Sequence, residues 1–346
     1  MAPLVQGRKI AFLGASGQLG TPTLKALLAQ GVHTITAIQR REASSLFPPE
    51  VAVRLGDLED EAFIIEVLKG QDVMILMPPL SHLGLQKGFV RAAAKAGVPY
   101  VLPSEFGPDP FAHQLVEENV LLQDKKAIRD LVDELGISSW VSITVGPWLD
   151  SGLALGLWGI DLRARKATIW RGADSKVNTA TVQHTAEAVA AVLSLPEAEL
   201  AKYRNNAVYT PSWRLTQREI LDAVLRATGT SDVDWDVMQH DIKDVVKEYE
   251  AKMKAGDMAG YFAKFFVTHF LEGHGGDFEH KVVPAKVQRL EQLGLQKEDI
   301  EQVIKAVVKK QWLNNEKVEG GLKITDTALL YQLIWNYVLY VATSLR

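Results

Sequence analysis

Gly14-Ala15-Ser16-Gly17-Gln18-Leu19-Gly20 stands between a strand-like run, Lys9-Ile10-Ala11-Phe12-Leu13, and a helix-like run that begins near Pro22. Glycines at such a place serve a tight turn, a close backbone approach to a pyrophosphate and close packing of helix on strand, while the helix N-terminus offers free N–H groups to phosphates. The stretch therefore outlines a nucleotide site made by Gly14, Ser16, Gly17, Gln18, Leu19 and Gly20. Its spacing is G-x-x-G-x-x-G rather than the G-x-G-x-x-G of the usual dinucleotide fingerprint, so the surrounding pattern has to decide the reading.

Downstream, Leu24 to Leu28 continues the helix, Gly31 ends it, and the β-branched Thr34-Ile35-Thr36-Ala37-Ile38 reads as a second strand, which completes a βαβ unit. That strand runs into Gln39-Arg40-Arg41, at the place where a protein selective for the unphosphorylated nicotinamide dinucleotide puts an acidic residue on the ribose hydroxyls. Arg40 and Arg41 suit a 2′-phosphate, and hence NADPH; the competing reading is a solvated strand end.

The alternation continues. Val51 to Leu55 reads as a strand, Glu59 to Leu68 as a helix, and the apolar Val73-Met74-Ile75-Leu76-Met77 as a strand buried on both faces of a parallel sheet. Pro78-Pro79 stops it, so Met77, Pro78 and Pro79 are expected along the cofactor. A helix over Gln86 to Ala96, a strand at Tyr100-Val101-Leu102 leading into Pro103-Ser104-Glu105-Phe106-Gly107, a helix over Asn119 to Leu135 and a strand over Trp140 to Val145 follow. The pattern predicts a Rossmann-type, doubly wound parallel α/β sheet with its ligand beyond the C-terminal strand ends. Ser104, Glu105 and Phe106 would then face the nicotinamide end, with a supporting strand-to-loop corner as the alternative.

After Gly146-Pro147 the alternation fades. Short strands are expected near 167–170, 176–180 and 207–209, helices over 185–195 and 216–228 with Thr216 as N-cap, and a largely helical stretch from Asp236 to about Lys310. Residues 1–155 are accordingly assigned to the nucleotide-binding domain, with segments near 175–210 packing back on it. Residues 156–346 are assigned to a smaller, mainly helical α+β substrate domain and a C-terminal helix.

The 346 residues, 47% hydrophobic, can bury a core large enough for such a pair of domains. A balance of 38 basic against 42 acidic side chains implies no general affinity for nucleic acid or anionic membranes. The chain has no cysteine, which removes disulfides, thiolate nucleophiles and thiolate metal ligands and suits a reducing compartment. Met1 to Lys9 is too short and mixed for a secretory signal, so a cytoplasmic protein is expected.

The glycine loop, Arg40, Gly56-Asp57-Leu58, Pro103-Ser104-Glu105-Phe106-Gly107 and Lys125-Lys126-Ala127-Ile128-Arg129 together resemble the NmrA-like, isoflavone-reductase-like branch of the atypical short-chain dehydrogenases. The resemblance spans roughly Lys9 to Gly152, and Pro-Ser-Glu-Phe-Gly is its most specific element. It implies a Rossmann domain with a small substrate domain, bound NADPH, and a lysine that assists hydride transfer to phenolic or related secondary metabolites. By position that lysine is Lys125, with Lys126 as the alternative; an ammonium there holds the ribose, polarises a substrate oxygen or exchanges a proton. The competing reading puts both lysines on a solvated helix face.

The chain also departs from that pattern. Many members have an acidic residue where Gln183-His184-Thr185 stands, so His184 is a second candidate proton donor, set against a role bonded to backbone at the start of a helix. No Tyr-x-x-x-Lys lies near Lys125, so the proton donor of ordinary short-chain dehydrogenases is missing. Two other readings keep the fold: a dinucleotide-sensing regulator that consumes no cofactor, and a cofactor-independent isomerase or cyclase.

Two further stretches stand out. His269 to His280 is rich in imidazoles and carboxylates but fits no metal signature; its glycines read as a mobile substrate lid, with Tyr261, Phe262, Phe265 and Phe266 as an apolar wall or ordinary core. Thr327 to Leu345 has no charged side chain and, as one helix, approaches bilayer thickness at roughly 30 Å. Gln332 and Asn336 share a polar face one turn apart, which favours docking on its own subunit or on a second copy in a homodimer over a membrane anchor.

Overall fold

Strand β1, Lys9–Leu13, is buried on both sides and alternates its residues between two cores: Ile10 and Phe12 face one, Ala11 and Leu13 the other. This two-sided burial is what a central strand of a parallel sheet requires. The computed structural model describes residues 5–257 and 259–319. The uncharged run from Thr327 to Leu345 therefore lies outside the described residues.

From β1 the chain passes through helix α1, Gly20–Ala29, to β2, Thr34–Arg40, and then to β3, Val51–Gly56. Helix α2, Glu61–Leu68, leads to β4, Val73–Leu76, and helix α3, Leu85–Ala96, to β5, Tyr100–Leu102. A two-residue strand β6, Phe106–Gly107, precedes helices α4, His113–Glu118, and α5, Val120–Leu135, and then β7, Ser139–Thr144.

Helix α6, Leu149–Ala154, opens the second half, followed by β8, Ile160–Asp161, β9, Lys166–Arg171, and β10, Val177–Thr179. Helices α7, Val182–Leu193, and α8, Glu197–Leu200, lead to β11, Asn206–Tyr209. The remainder comprises β12, Trp213–Leu215, α9, Gln217–Thr228, β13, Asp236–Asp241, α10, Ile242–Lys254, α11, Ala259–Thr268, α12, Pro284–Glu291, and α13, Ile300–Glu319.

The main sheet has eight strands in the order β11-β7-β5-β4-β1-β2-β3, with β6 also on β7, and every pairing is parallel. This is a doubly wound Rossmann-like sheet whose order reverses between β1 and β4. Helices α1 and α7 cover one face, and α2, α3 and α5 the other. The alanines of α7 let it lie close against α1, and β11 extends the sheet beside β7, so residues 182–209 belong to the main sheet and its core.

A separate core gathers Trp158, Trp170, Ile220, Phe266 and Phe270 around the strands β13-β9-β8 and helices α9, α11 and α13. Thr216 caps α9 as expected: its hydroxyl accepts from Glu219 N at 3.1 Å, and Glu219 accepts from Thr216 N at 2.8 Å. The helical expectation from Asp236 onward fails at β13, which lies parallel to β9 and is mostly exposed. Asp236-Val237-Met238-Gln239-His240-Asp241 buries so little that no apolar alternation marks it as a strand.

The switch point depends on Gly14. Its φ is +88°, and a Cβ there would lie 2.0 Å from the carbonyl oxygen of Met77. Gly14→Ala is expected to lose at least about 1–2 kcal/mol from the left-handed backbone alone, and more from the clash, read as a lowered urea midpoint.

Candidate active site

The C-terminal ends of β1, β2, β4 and β5 meet at one edge of the sheet, and most of the sequence-predicted residues follow them. In the glycine loop, Gly17 N–H donates to Gly14 O at 3.0 Å, whereas the N–H groups of Ser16, Gln18 and Leu19 have no backbone partner among the described residues. These donors at the start of α1 are placed where a helix N-terminus can receive an anion. A Cβ on Gly20 would lie 1.9 Å from Gly14 O, so the third glycine is required by packing. Leu19 is buried in the core, which leaves only its backbone for a ligand. Gln18 Nε2 donates to Ser151 Oγ at 2.8 Å and ties the loop to α6.

Arg40 ends β2 and Arg41 follows it; both are exposed, and neither makes an ion pair among the described residues. Beyond β4, Met77 is half-buried, Pro78 buried and Pro79 exposed, with Met77 N–H held by Leu13 O at 2.9 Å. Ser104 is fixed from both ends: its N–H donates to Gln86 Oε1 at 2.9 Å and its hydroxyl to Leu76 O at 3.1 Å. Phe106 packs in the core as part of β6.

Glu105 and Arg129 form a buried ion pair, and Arg129 also donates to Pro110 O at 3.1 Å and lies 5.6 Å over the Trp140 ring. The Glu105 carboxylate is thus engaged within the protein. Lys125 stands one turn before Arg129, half-buried, with no hydrogen bond or ion pair among the described residues. Desolvation holds its pKa below the ordinary lysine range; Glu105 opposes that shift and Arg129 reinforces it. Lys126 is exposed and bonded to Asp130 at 2.7 Å, so of the two lysines only Lys125 faces Glu105.

His184 is placed differently. It lies buried in the first turn of α7, where Nε2 donates to Thr210 O at 2.9 Å and Nδ1 sits 3.8 Å from Glu298 Oε2. Nε2 is committed to a backbone carbonyl and the buried Nδ1 has no hydrogen-bond partner among the described residues, so the placement favours the helix-start role bonded to backbone over the pocket-facing donor. Glu298 further accepts from Thr181 Oγ and Ser212 Oγ, each at 2.5 Å. Asp150 accepts from Val182 N at 3.2 Å, and burial, with Glu298 adding to it, pushes its pKa up to about 6.

The expected lid is corrected. Asn178 N–H donates to Gly276 O at 3.0 Å, the Asn178 side chain bonds Phe278 N at 2.7 Å and Glu279 at 2.9 Å, and Lys281 reaches the buried Asp109 at 2.5 Å. Gly275 and Gly276 are there for contact: a Cβ would meet Ala112 at 2.5 Å and His269 O at 2.0 Å respectively. The stretch is a strap fastened across the sheet edge. Its imidazoles diverge, His269 bonding Phe265 O at 2.6 Å and His274 lying 3.3 Å from Glu118. Burial lowers the His269 pKa to about 4.

Beside α5 a small cleft is lined by Leu80, Asn119, Leu121, Tyr261, Phe262 and Phe265 among others. Leu121 lies one turn before Lys125 on α5, and Leu80 follows Pro79, so the apolar wall adjoins the crevice. Phe266 instead packs edge-on to Trp158 at 4.9 Å in the core. The sequence does not single out Gln86, Arg129 as a partner of Glu105, Asp150 or Glu298. Only Arg129 carried a signal, its four-residue spacing from Lys125.

A doubly wound sheet with an anion-binding glycine loop at its switch point defines a Rossmann-like nucleotide-binding protein. The chain belongs to the NmrA-like family, whose model matches residues 6–293. Oxidoreductase aprR of Aspergillus flavus is 27% identical over 307 residues, 87% of this chain and 99% of that protein. A probable pinoresinol-lariciresinol reductase 3 of Arabidopsis thaliana is 29% identical over 135 residues, 37% of this chain and 44% of that protein. Among solved structures, AtPrR2 with NADP+ and (+)pinoresinol matches with a TM-score of 0.69 at 20% identity, over 87% of this chain and 99% of that one. Triphenylmethane reductase of Citrobacter sp., complexed with NADP(H), matches with a TM-score of 0.62 at 19% identity, over 86% and 99%. These structures share the fold.

The Asp150 environment gives a pH signature. Between about pH 4 and pH 6 the folded state keeps a proton that the unfolded chain has lost, so this group makes stability fall as pH rises through that window. Asp150→Asn, still able to accept from Val182 N, should be more stable at pH 7.5 by on the order of 2 kcal/mol. The difference should vanish near pH 4, as read by urea unfolding at the two values.

Proposed function

We propose that this protein is an NADPH-dependent reductase of a small aromatic or polyketide-like secondary metabolite, with Lys125 assisting hydride transfer. The observation that carries the reading is the half-buried, unpartnered Lys125 amine on α5, beside Glu105 of the turn beyond β5 and on the same sheet edge as the glycine loop. Family membership and the names of the relatives, an oxidoreductase and a pinoresinol-lariciresinol reductase, support the same chemistry.

The residues present fit the cofactor. The N–H groups of Ser16, Gln18 and Leu19 are free to receive a pyrophosphate, Gly14 and Gly20 permit the tight loop by passing close to Met77 O and Gly14 O, and Arg40 with Arg41 supplies two uncommitted cations for a 2′-phosphate. When bound, a reduced nicotinamide supplies the hydride. The chain's part is the proton: the Lys125 ammonium, bonded to the substrate oxygen, gives its proton as negative charge develops there and regains one from solvent. Tyr261, Phe262 and Phe265 offer a flat apolar wall for the substrate body.

Calorimetry with NADPH, followed by incubation with ketones, enones and phenolic ethers, tests the reading. Lys125→Met should bind NADPH and lose about 10²- to 10⁴-fold in turnover; full activity in that variant rejects the role of Lys125. Arg40→Ala/Arg41→Ala should weaken NADPH binding while leaving NADH binding unchanged. Cofactor binding with no turnover on any candidate favours a dinucleotide-sensing regulator, and turnover without cofactor favours an isomerase or cyclase.

A further inference from the structure

Lys125 and Arg129 lie four residues apart on α5, so both side chains leave the same helix face and both stand by the one buried carboxylate of Glu105. Only Arg129 pairs with it. The guanidinium is held there by three things at once: Glu105, the Pro110 carbonyl at 3.1 Å and the Trp140 ring at 5.6 Å. A planar fork stacked on an aromatic and shared between two acceptors is a geometry that lysine does not reproduce. Lys125 is left beside a carboxylate already taken.

The other charged groups around this helix are committed elsewhere. Lys87 of α3 acts on Asp124, Lys126 pairs with Asp130, Glu118 of α4 faces His274, and Lys264 of α11 pairs with Glu250. Glu105 and Arg129 are the groups that act on Lys125 among the described residues.

We propose that Glu105 and Arg129 are positioning residues for Lys125: by taking the buried carboxylate as its own counter-ion, Arg129 leaves the Lys125 amine without one and free to pass between ammonium and amine. The inference rests on the proton-transfer role of Lys125 given above for its consequence in turnover, but its electrostatic content is independent of turnover. Without Arg129, Glu105 becomes the counter-ion of Lys125 and fixes it as an ammonium. Without Glu105, Lys125 faces an unpaired guanidinium and loses its proton more readily.

The test is a pH titration of the intact protein carrying ¹³Cε-lysine, with the Lys125 signal assigned by its loss in Lys125→Met. Arg129→Gln should move that titration up by about one to three pH units, and Glu105→Gln should move it down. Arg129→Lys, which keeps a cation for Glu105, should stay closer to wild type than Arg129→Gln. Each single neutralisation leaves a buried charge unpaired and threatens folding, so the double variant Glu105→Gln/Arg129→Gln is the safeguard. It should titrate near wild type because the two influences cancel.

An unmoved Lys125 in a folded single variant, or a double variant displaced as far as a single one is expected to be, overturns the proposal. With a competent substrate, the alkaline limb of kcat should follow the same shifts, which a purely structural defect would not produce. If the titrations move as stated while Lys125→Met turns over at the wild-type rate, the catalytic reading fails and the electrostatic one stands.

Discussion

The close approach of Gly14 to the Met77 carbonyl sets the crevice, because it is where the sheet changes the side to which its connections run. After β1 the chain turns to α1 on one face, and after β4 it turns to α3 on the other. The two strands are neighbours, with Leu13 opposite Leu76, so their exits must separate within a residue of each other. A side chain on Gly14 would push them apart, and the crevice that opens there would lose its floor. The anion-binding N–H groups, the held Ser104 and the turn at Glu105 all take their positions from that divergence.

Buried charge does the next part of the work. Taking ions out of water costs several kcal/mol each unless they are paired and hydrogen-bonded, and here the buried carboxylates are arranged so that each joins segments distant in sequence. Glu105 joins the turn after β5 to α5, and Asp109 joins it to Tyr209 and to Lys281. Glu298 joins the segment before α13 to the starts of α7 and β12. The second half is thus fastened to the sheet edge by polar ties beside a hydrophobic seam, and the strap through Phe278 lies in one of them.

The first half was legible because its signals are local and periodic. The apolar run Val73–Leu76, the glycine turns and the caps each act within a few residues, so strands β1 to β5 and the helices between them could be read directly. What could not be read depends on partners far along the chain. β13 has no apolar alternation because it exists by pairing with β9, about seventy residues earlier. The glycines around His274 suggest mobility, yet the smallness of Gly275 and Gly276 serves contact with Ala112 and His269. His184 looked available only because its acceptor, Thr210 O, and its neighbour, Glu298, are not adjacent in sequence.

The lysine pair lies between these cases. Residues of a helix are about 100° apart, so Lys125 and Lys126 cannot both face the same way, and the apolar stripe of α5 decides between them. Leu122, Ile128, Leu131 and Val132 are buried, and Lys125 falls three residues after the first and three before the second. Lys126 falls four before Asp130, on the outer face where that carboxylate waits. The buried stripe sets Lys125 inward, a choice between it and Lys126 that the resemblance alone leaves open. What the stripe does not reveal is that Arg129, a residue most often found on surfaces, shares that inward face. The chemistry open to Lys125 depends on it, because the arginine decides whether the neighbouring carboxylate is free.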